Sequence, residues 1–283
     1  MTVQIISNPV SGGFSPQRIL ALETAFRKRS HALAYGHSTP GTAIALADDL
    51  SLVCVGGGDG TLRHVVSALR QAKADVPVCA YPAGTVNLLA REAEYPIDPD
   101  AFVERVSCAD YRRRGFAGRI GEQLFLVCAS AGPDSYAVAG VSSRLKRWIG
   151  RAAYGAAFLG VLWHWPRPRI VLDVDGRRIA CEAFYVAKGR FFAGPWSFAR
   201  TASINDETLH LVALTRARRC DYARFMWALL RGKPVDRLPG VVAQPFGALS
   251  ASSDAGVPVQ ADGDTVTVLP TTIGIHDGII HYA

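Results

Sequence analysis

Leu50-Ser51-Leu52-Val53-Cys54-Val55-Gly56-Gly57-Gly58-Asp59-Gly60-Thr61-Leu62 is the stretch on which the fold turns. Leu50–Val55 shows no apolar–polar alternation, which predicts a strand buried on both faces, as in a parallel sheet. Leu62, Val65, Val66 and Leu69 then fall on one face of a helix that begins near Thr61. Between the two, three consecutive glycines let the backbone turn sharply and bring its N–H groups close to oxygens. The helix start adds the positive end of its dipole, so strand, loop and helix together suit a bound phosphate. Asp59 is unusual in such a place. A carboxylate beside phosphates is repelled unless it holds Mg²⁺ or a ligand hydroxyl. The run is not G-x-x-x-x-G-K-[ST], and the chain has no protein-kinase catalytic-loop signature.

The surrounding sequence repeats the same unit. Val3–Ser7 reads as a strand followed by the loop Asn8-Pro9-Val10-Ser11-Gly12-Gly13-Phe14. A helix follows, with Ser15 as N-cap, Pro16 at its first position and Arg27, Lys28 and Arg29 at its end. A second helix is expected from about Gly41 to Asp49. Pro77–Tyr81 is another short strand, closed by Pro82-Ala83-Gly84-Thr85 and a helix carrying Asn87, Leu88 and Leu89. Strands separated by helices imply an open parallel sheet, which binds ligands beyond the carboxyl ends of its strands. From about residue 118 the pattern changes to strand-like runs at Leu124–Ala129, Arg169–Val174, Ile179–Ala187, Thr208–Thr215 and Thr265–Leu269. Asp175-Gly176 is a hairpin signal. Helical stretches are expected at Arg144–Leu162 and Tyr222–Arg231. The expected architecture is an α/β domain over 1–117 with an open parallel sheet, then a mostly antiparallel β-sandwich over 118–270. A tail over 271–283 is expected to pack back on the first domain.

Bulk properties narrow the class. The chain has 283 residues, 49% apolar and 19% charged, with a formal charge of +7. That is a globular composition whose basic balance favours acidic partners such as nucleotide phosphates or anionic lipid surfaces. Nucleic-acid binding has only the charge behind it and is not expected. The six cysteines (Cys54, Cys79, Cys108, Cys128, Cys181 and Cys220) form no C-x-x-C pair and read as reduced core residues. The N-terminus enters a strand at once, and the longest apolar stretch, Ala152 to Trp165, is interrupted by Gly155, Gly160 and His164. A cytoplasmic protein with neither signal peptide nor spanning helix is therefore expected.

Taken as a set, the loops carry a resemblance. Asn8-Pro9 with Ser11-Gly12, the Gly56–Thr61 run and Pro82-x-Gly84-Thr85-x-Asn87-x-x-Ala90-Arg91 are similar to the diacylglycerol kinase catalytic-domain superfamily, which includes bacterial lipid kinases and the sphingosine and ceramide kinases. Later landmarks recur in order over essentially the whole chain: Ala131-Gly132-x-Asp134, Arg151-x-x-x-Gly155 with Tyr154, Asn205-Asp206-Glu207-Thr208-Leu209 and Asp262-Gly263-Asp264. The resemblance implies an α/β nucleotide domain joined to a β-sandwich, with ATP and a lipid meeting between them. Carried over by position, it implies ATP contacts from Asn8, Ser11, Gly12, Thr39, Gly56, Gly57, Gly58, Asp59, Gly60, Thr61, Leu62, Gly84, Thr85 and Asn87. It implies catalytic carboxylates at Asp262 and Asp264 with Asp59, and a Mg²⁺ loop at Ser203, Asp206 and Thr208. Members of the group often pair as dimers. A hydroxyl nucleophile needs a carboxylate to orient it and accept its proton, while Mg²⁺ offsets phosphate charge.

Two positions depart from the family pattern. The catalytic turn usually reads Asp-Gly-Glu, and here its third residue is the shorter Asp264. The metal loop usually reads Asp-Gly-x-Leu, and here Glu207 replaces the glycine. On its own, Asp262-Gly263-Asp264 is also a plain hairpin turn. Arg144, Lys146, Arg147 and Arg151 lead into Tyr154, Phe158, Trp163 and Trp165, a basic and aromatic composition over 144–169 that suits a membrane surface and equally an interdomain helix. The leading expectation is an ATP-dependent kinase of a glycerolipid or sphingoid lipid. An NAD kinase shares the Gly-Gly-Asp-Gly-Thr run, but the Asn8 and Pro82–Asn87 motifs suit lipid kinases better. A weakly catalytic nucleotide- or lipid-binding regulator rests only on Asp264 and Glu207.

Overall fold

The computed structural model describes residues 1–9, 13–39, 42–108, 112–140, 160–161 and 163–283. The chain divides into two compact units, Met1–Gly115 with Gly278–Ala283, and Phe116–Asp277.

The first unit is built on β1 (Thr2–Ser7), β2 (Ala32–His37), β3 (Leu52–Gly57) and β4 (Val78–Pro82), in the order β2-β1-β3-β4. Every pair is parallel, and the C-terminal end of β16 (Thr271–Tyr282) adds a further parallel neighbour through Tyr282 and Val78. All six residues of β3 are buried, as its unbroken apolar run requires. Helix α1 (Pro16–Lys28) starts at Ser15, whose side chain accepts from the Arg18 amide, and buries Ile19, Leu22, Ala25 and Phe26. Helix α2 (Asp59–Gln71) buries Leu62, Val65, Val66 and Leu69. Two shorter helices follow, α3 (Leu88–Glu92) and α4 (Pro99–Ser107). Asp98 caps α4 by accepting from the Ala101 amide at 2.9 Å.

One expectation in this unit is overturned. The described residues 42–49 form no helix. The buried Gln4 side chain takes their backbone groups instead: its amide donates to the Ala45 carbonyl at 2.9 Å, and its carbonyl accepts from the Ala47 amide at 3.2 Å. Those bonds hold the segment extended, so the ladder a helix would need is never formed. The neighbouring strand β2 is an edge strand with mixed exposure, which is why its sequence carries no continuous apolar run.

The second unit is a sandwich. One antiparallel sheet runs β12 (Val241–Phe246), β11 (Leu209–Leu214), β10 (Ala183–Ala187), β7 (Cys128–Ala131), β14 (Pro258–Ala261), β15 (Asp264–Val268). The other contains β13 (Ala248–Ser253) between β8 (Ile170–Val174) and the first residues of β16, with β9 (Arg177–Cys181) beyond β8. The hairpin β5 (Arg113–Ile120) and β6 (Gln123–Phe125) belongs to the same sheet. β8 and β9 turn at Asp175 and Gly176, whose φ of 49° and 83° are those of a tight hairpin turn. Phe184 and Val186 face the core between the sheets, while Ala183, Tyr185 and Ala187 face a second core with Tyr222, Phe225 and Leu229. Those last three lie on α5 (Arg219–Leu230), which covers the outer face. An antiparallel strand covered on both sides therefore reads as a continuous apolar run.

Two runs that read as single strands are each two. Leu124–Ala129 divides at Leu126-Val127, and Ile179–Ala187 divides at Glu182. In both cases the chain passes from one sheet to the other, a change that apolar patterning does not register. The helix expected over Arg144–Leu162 lies almost entirely outside the described residues. Among those residues no helix is long and apolar enough to cross a membrane.

Candidate functional site

Three loops leave the carboxyl ends of β1, β3 and β4 and pack backbone against backbone. A Cβ added at Gly84 would lie 2.5 Å from the Gly58 Cα and 2.8 Å from its nitrogen. One added at Gly13 would meet the Ala83 carbonyl oxygen at 2.6 Å. Only residues without side chains permit such an approach. The side chains that border the loops lock them together. Asn8 Nδ2 donates to Thr61 Oγ1 at 3.2 Å, and Arg18 donates to the Pro82 carbonyl at 2.9 Å while lying over the Tyr81 ring. Asn87, at φ 55°, folds back on Gly84 with two bonds of 2.8 Å, one in each direction.

Asp59 spans two of these loops. It is the first residue of α2, yet its two carboxylate oxygens accept from the Leu89 and Leu88 amides at 2.9 Å each, capping α3. Burial pushes its pKa up, and the two amide bonds oppose that shift. Asp59 thereby clamps the second and third loops together. Helix α2 itself begins at Gly58, which has no side chain to cap the first-turn amides. A cavity of about 430 Å³ lies among Ile5, Ser7, Phe14, Ile19, Tyr35 and His37, at the ends of β1 and β2.

The structure brings Asn8, Gly56–Leu62, Gly84 and Asn87 into one cluster, with Thr85 exposed beside it. Leu62 is buried in the core, so only its backbone is available to a ligand. Thr39 bonds to Thr42 just beyond β2. Ser11 and Gly12 lie outside the described residues.

In the second unit, Asp262 and Gly263 form the turn between β14 and β15, with φ of 48° and 87°. The Asp262 carboxylate is buried and accepts from three backbone amides: Leu126 at 2.7 Å, Val127 at 3.0 Å and Cys128 at 3.1 Å. It serves the very residues where the chain passes between sheets. Asp264 opens β15 and is only partly buried. Gln260 accepts from the Gly263 amide and donates to Ser130, whose hydroxyl donates to Asp134. Burial raises the Asp134 pKa, against the Ser130 bond.

The expected Mg²⁺ loop has a different occupant. Lys188 follows β10, is 0% exposed, and its ammonium donates to the Ser203 and Asp206 carbonyls at 2.6 Å each. The lone pairs that a divalent ion would use at Ser203 are already engaged, so these residues do not fit a metal as they stand. The Asp206 side chain is exposed, and no cluster of three or more His, Cys, Asp or Glu occurs among the described residues.

Arg18, Ser130, Gln260 and Lys188 are the members of these arrangements that sequence reasoning missed. Only Lys188 carried a signal, a lysine directly after five buried apolar residues.

Residues 2–116 match the family described as "Diacylglycerol kinase catalytic domain", and residues 127–282 match the "YegS C-terminal NAD kinase beta sandwich-like domain". A diacylglycerol kinase of Staphylococcus carnosus is 25% identical over 276 residues, covering 94% of this chain and 90% of that protein. One from Bacillus subtilis is 26% identical over 247 residues, covering 82% and 80%. A crystal structure of a diacylglycerol kinase from Bacillus anthracis superposes with a TM-score of 0.71 at 16% identity, over 100% of this chain and 97% of the other, which establishes the shared fold. The chain belongs to the diacylglycerol kinase catalytic-domain family, and it is a lipid kinase, a phosphotransferase with an alcohol group as acceptor.

Proposed function

We propose that the protein transfers the γ-phosphoryl group of ATP, delivered as its Mg²⁺ complex, to a hydroxyl of a glycerolipid or sphingoid lipid. The observation that carries this reading is the uncapped start of α2, framed by three glycine loops packed backbone to backbone. Amides at a helix start, with the dipole behind them, suit the nucleotide phosphates. Asn8, Thr61, Gly84, Thr85 and Asn87 are the proposed polar border of that site. Asp264 is the proposed base: it takes the proton as the lipid oxygen forms its bond to the γ-phosphorus and the bond to the β-phosphate oxygen breaks, releasing ADP. Asp262 holds the hairpin that presents Asp264.

A lipid acceptor implies a membrane surface, and one face of the second unit supports that. Trp163 and Trp227 are 67% and 57% exposed, with the Arg219 guanidinium 4.9 Å from the Trp163 ring centre and Arg231 4.4 Å from that of Trp227. Tryptophan beside arginine suits the headgroup level of an anionic bilayer. We propose peripheral contact with a membrane on this ground, at the cytoplasmic face, where ATP is available. The test is incubation with labelled ATP, Mg²⁺ and mixed micelles of a lipid panel, with NAD alongside. Label should enter a lipid; label in NAD alone overturns the reading, and ATP binding without transfer to any acceptor points to a regulator.

A further inference from the structure

A lysine ammonium wholly removed from water is costly unless its donors find acceptors. Lys188 meets that demand with the two carbonyls of one turn. Ser203 and Asp206 close that turn, the Asp206 amide donating to the Ser203 carbonyl at 3.2 Å and the Asn205 amide to Ser203 Oγ at 3.1 Å. The turn thereby aims two carbonyl oxygens at a single point, the form of a cation site, and the cation there belongs to the chain. We infer that Lys188 is the built-in cation of the 203–206 turn, standing where a divalent ion would otherwise be needed, so that the folded protein requires no structural metal.

The backbone of the same residue reaches the other way. The Lys188 and Gly189 amides both donate to the Val127 carbonyl, at 2.8 Å and 2.9 Å. The Val127 amide in turn donates to Asp262 at 3.0 Å. Lys188 thus ties the 203–206 turn to the segment that holds the Asp262 hairpin. The replacement of the family's glycine by Glu207 fits the same exchange, since a turn that no longer wraps a metal no longer needs glycine geometry there.

The experiment uses the full chain without nucleotide, so that its outcome is separate from that of the phosphotransfer reading. Protein stripped with EDTA is assayed for metal by mass spectrometry, and its thermal unfolding is followed with and without millimolar Mg²⁺ or Ca²⁺. The expected result is substoichiometric metal and an unchanged Tm. One ion retained per chain, or a saturable rise in Tm with either ion, overturns the inference. Lys188→Met, which removes the cation from the Ser203 and Asp206 carbonyls, should unfold at a clearly lower temperature than the unaltered chain in either buffer; an unchanged Tm would show that no ammonium charge is needed at the turn. If that variant does not fold, the metal measurements on the unaltered protein still decide.

Discussion

Asp262→Asn separates architecture from chemistry at the hairpin. The position has φ 48°, a region asparagine enters as readily as aspartate, so the substitution leaves the turn geometry alone. What changes is the acceptor. One carboxylate oxygen takes the Leu126 amide at 2.7 Å and the other takes Val127 and Cys128 at 3.0 and 3.1 Å. In asparagine one of those oxygens becomes an NH₂ that faces an amide donor. Leaving a buried donor unsatisfied costs about 1–3 kcal/mol, and the surviving bonds lose charge assistance worth roughly 1 kcal/mol each. The total is about 3–5 kcal/mol, a fall in Tm of roughly 6–20 °C for a unit of this size. Asp264→Asn is the contrast. Partly buried at the end of the hairpin, it should move stability by no more than about 1 kcal/mol while lowering transfer by about 10²-fold or more. Calorimetry and a radiometric transfer assay on both variants decide. An Asp262→Asn protein that melts like the unaltered one but has lost transfer would refute the architectural role.

Gly84→Ala forces a Cβ to within 2.5 Å of the Gly58 backbone and should weaken ATP binding at least about tenfold in titration calorimetry, with about 1–3 kcal/mol of lost stability. Gly256→Ala, where an added Cβ meets nothing within 4 Å, is the control and should change neither. Asp134 has a pKa raised by burial, so its ionised form opposes folding. That cost is absent below the ordinary carboxylate value, grows as pH rises through it, and is complete above the raised folded value. Asp134→Asn should therefore unfold at higher temperature than the unaltered chain at neutral pH, with the difference closing as pH falls below about 4. Removing Trp163 and Trp227 together, by alanine, should reduce co-sedimentation with phosphatidylglycerol vesicles at least about tenfold while leaving ATP affinity unchanged.

The parts that sequence made legible are those whose cause is local. The buried strand before Gly56, the Leu62–Leu69 face of α2, the Ser15-Pro16 start of α1 and the Asp175-Gly176 turn each follow from a few neighbouring residues. The parts that stayed hidden depend on distant partners. The segment after residue 41 looks helical by its alanines, and only the Gln4 side chain, 41 residues away from Ala45, explains why it is not. The Asp262 turn is legible as a turn, but its sequence says nothing of the amides it holds, up to 136 positions earlier, at the crossing between sheets. The Ser203 turn reads as a metal loop because its own sequence says nothing of Lys188. Helix α4 was within reach, since Asp98-Pro99 is a strong N-terminal signal.

The central claim is phosphoryl transfer from ATP to a lipid hydroxyl at the Gly56–Thr61 loop. Its most direct test is the fate of γ-labelled ATP in mixed micelles containing diacylglycerol or a sphingoid base, run on the unaltered chain and on Gly58→Val. The account predicts labelled phospholipid from the unaltered protein, and neither label nor ATP binding from the variant. Labelled lipid at an undiminished rate from Gly58→Val, or label appearing in NAD and in no lipid, would contradict it.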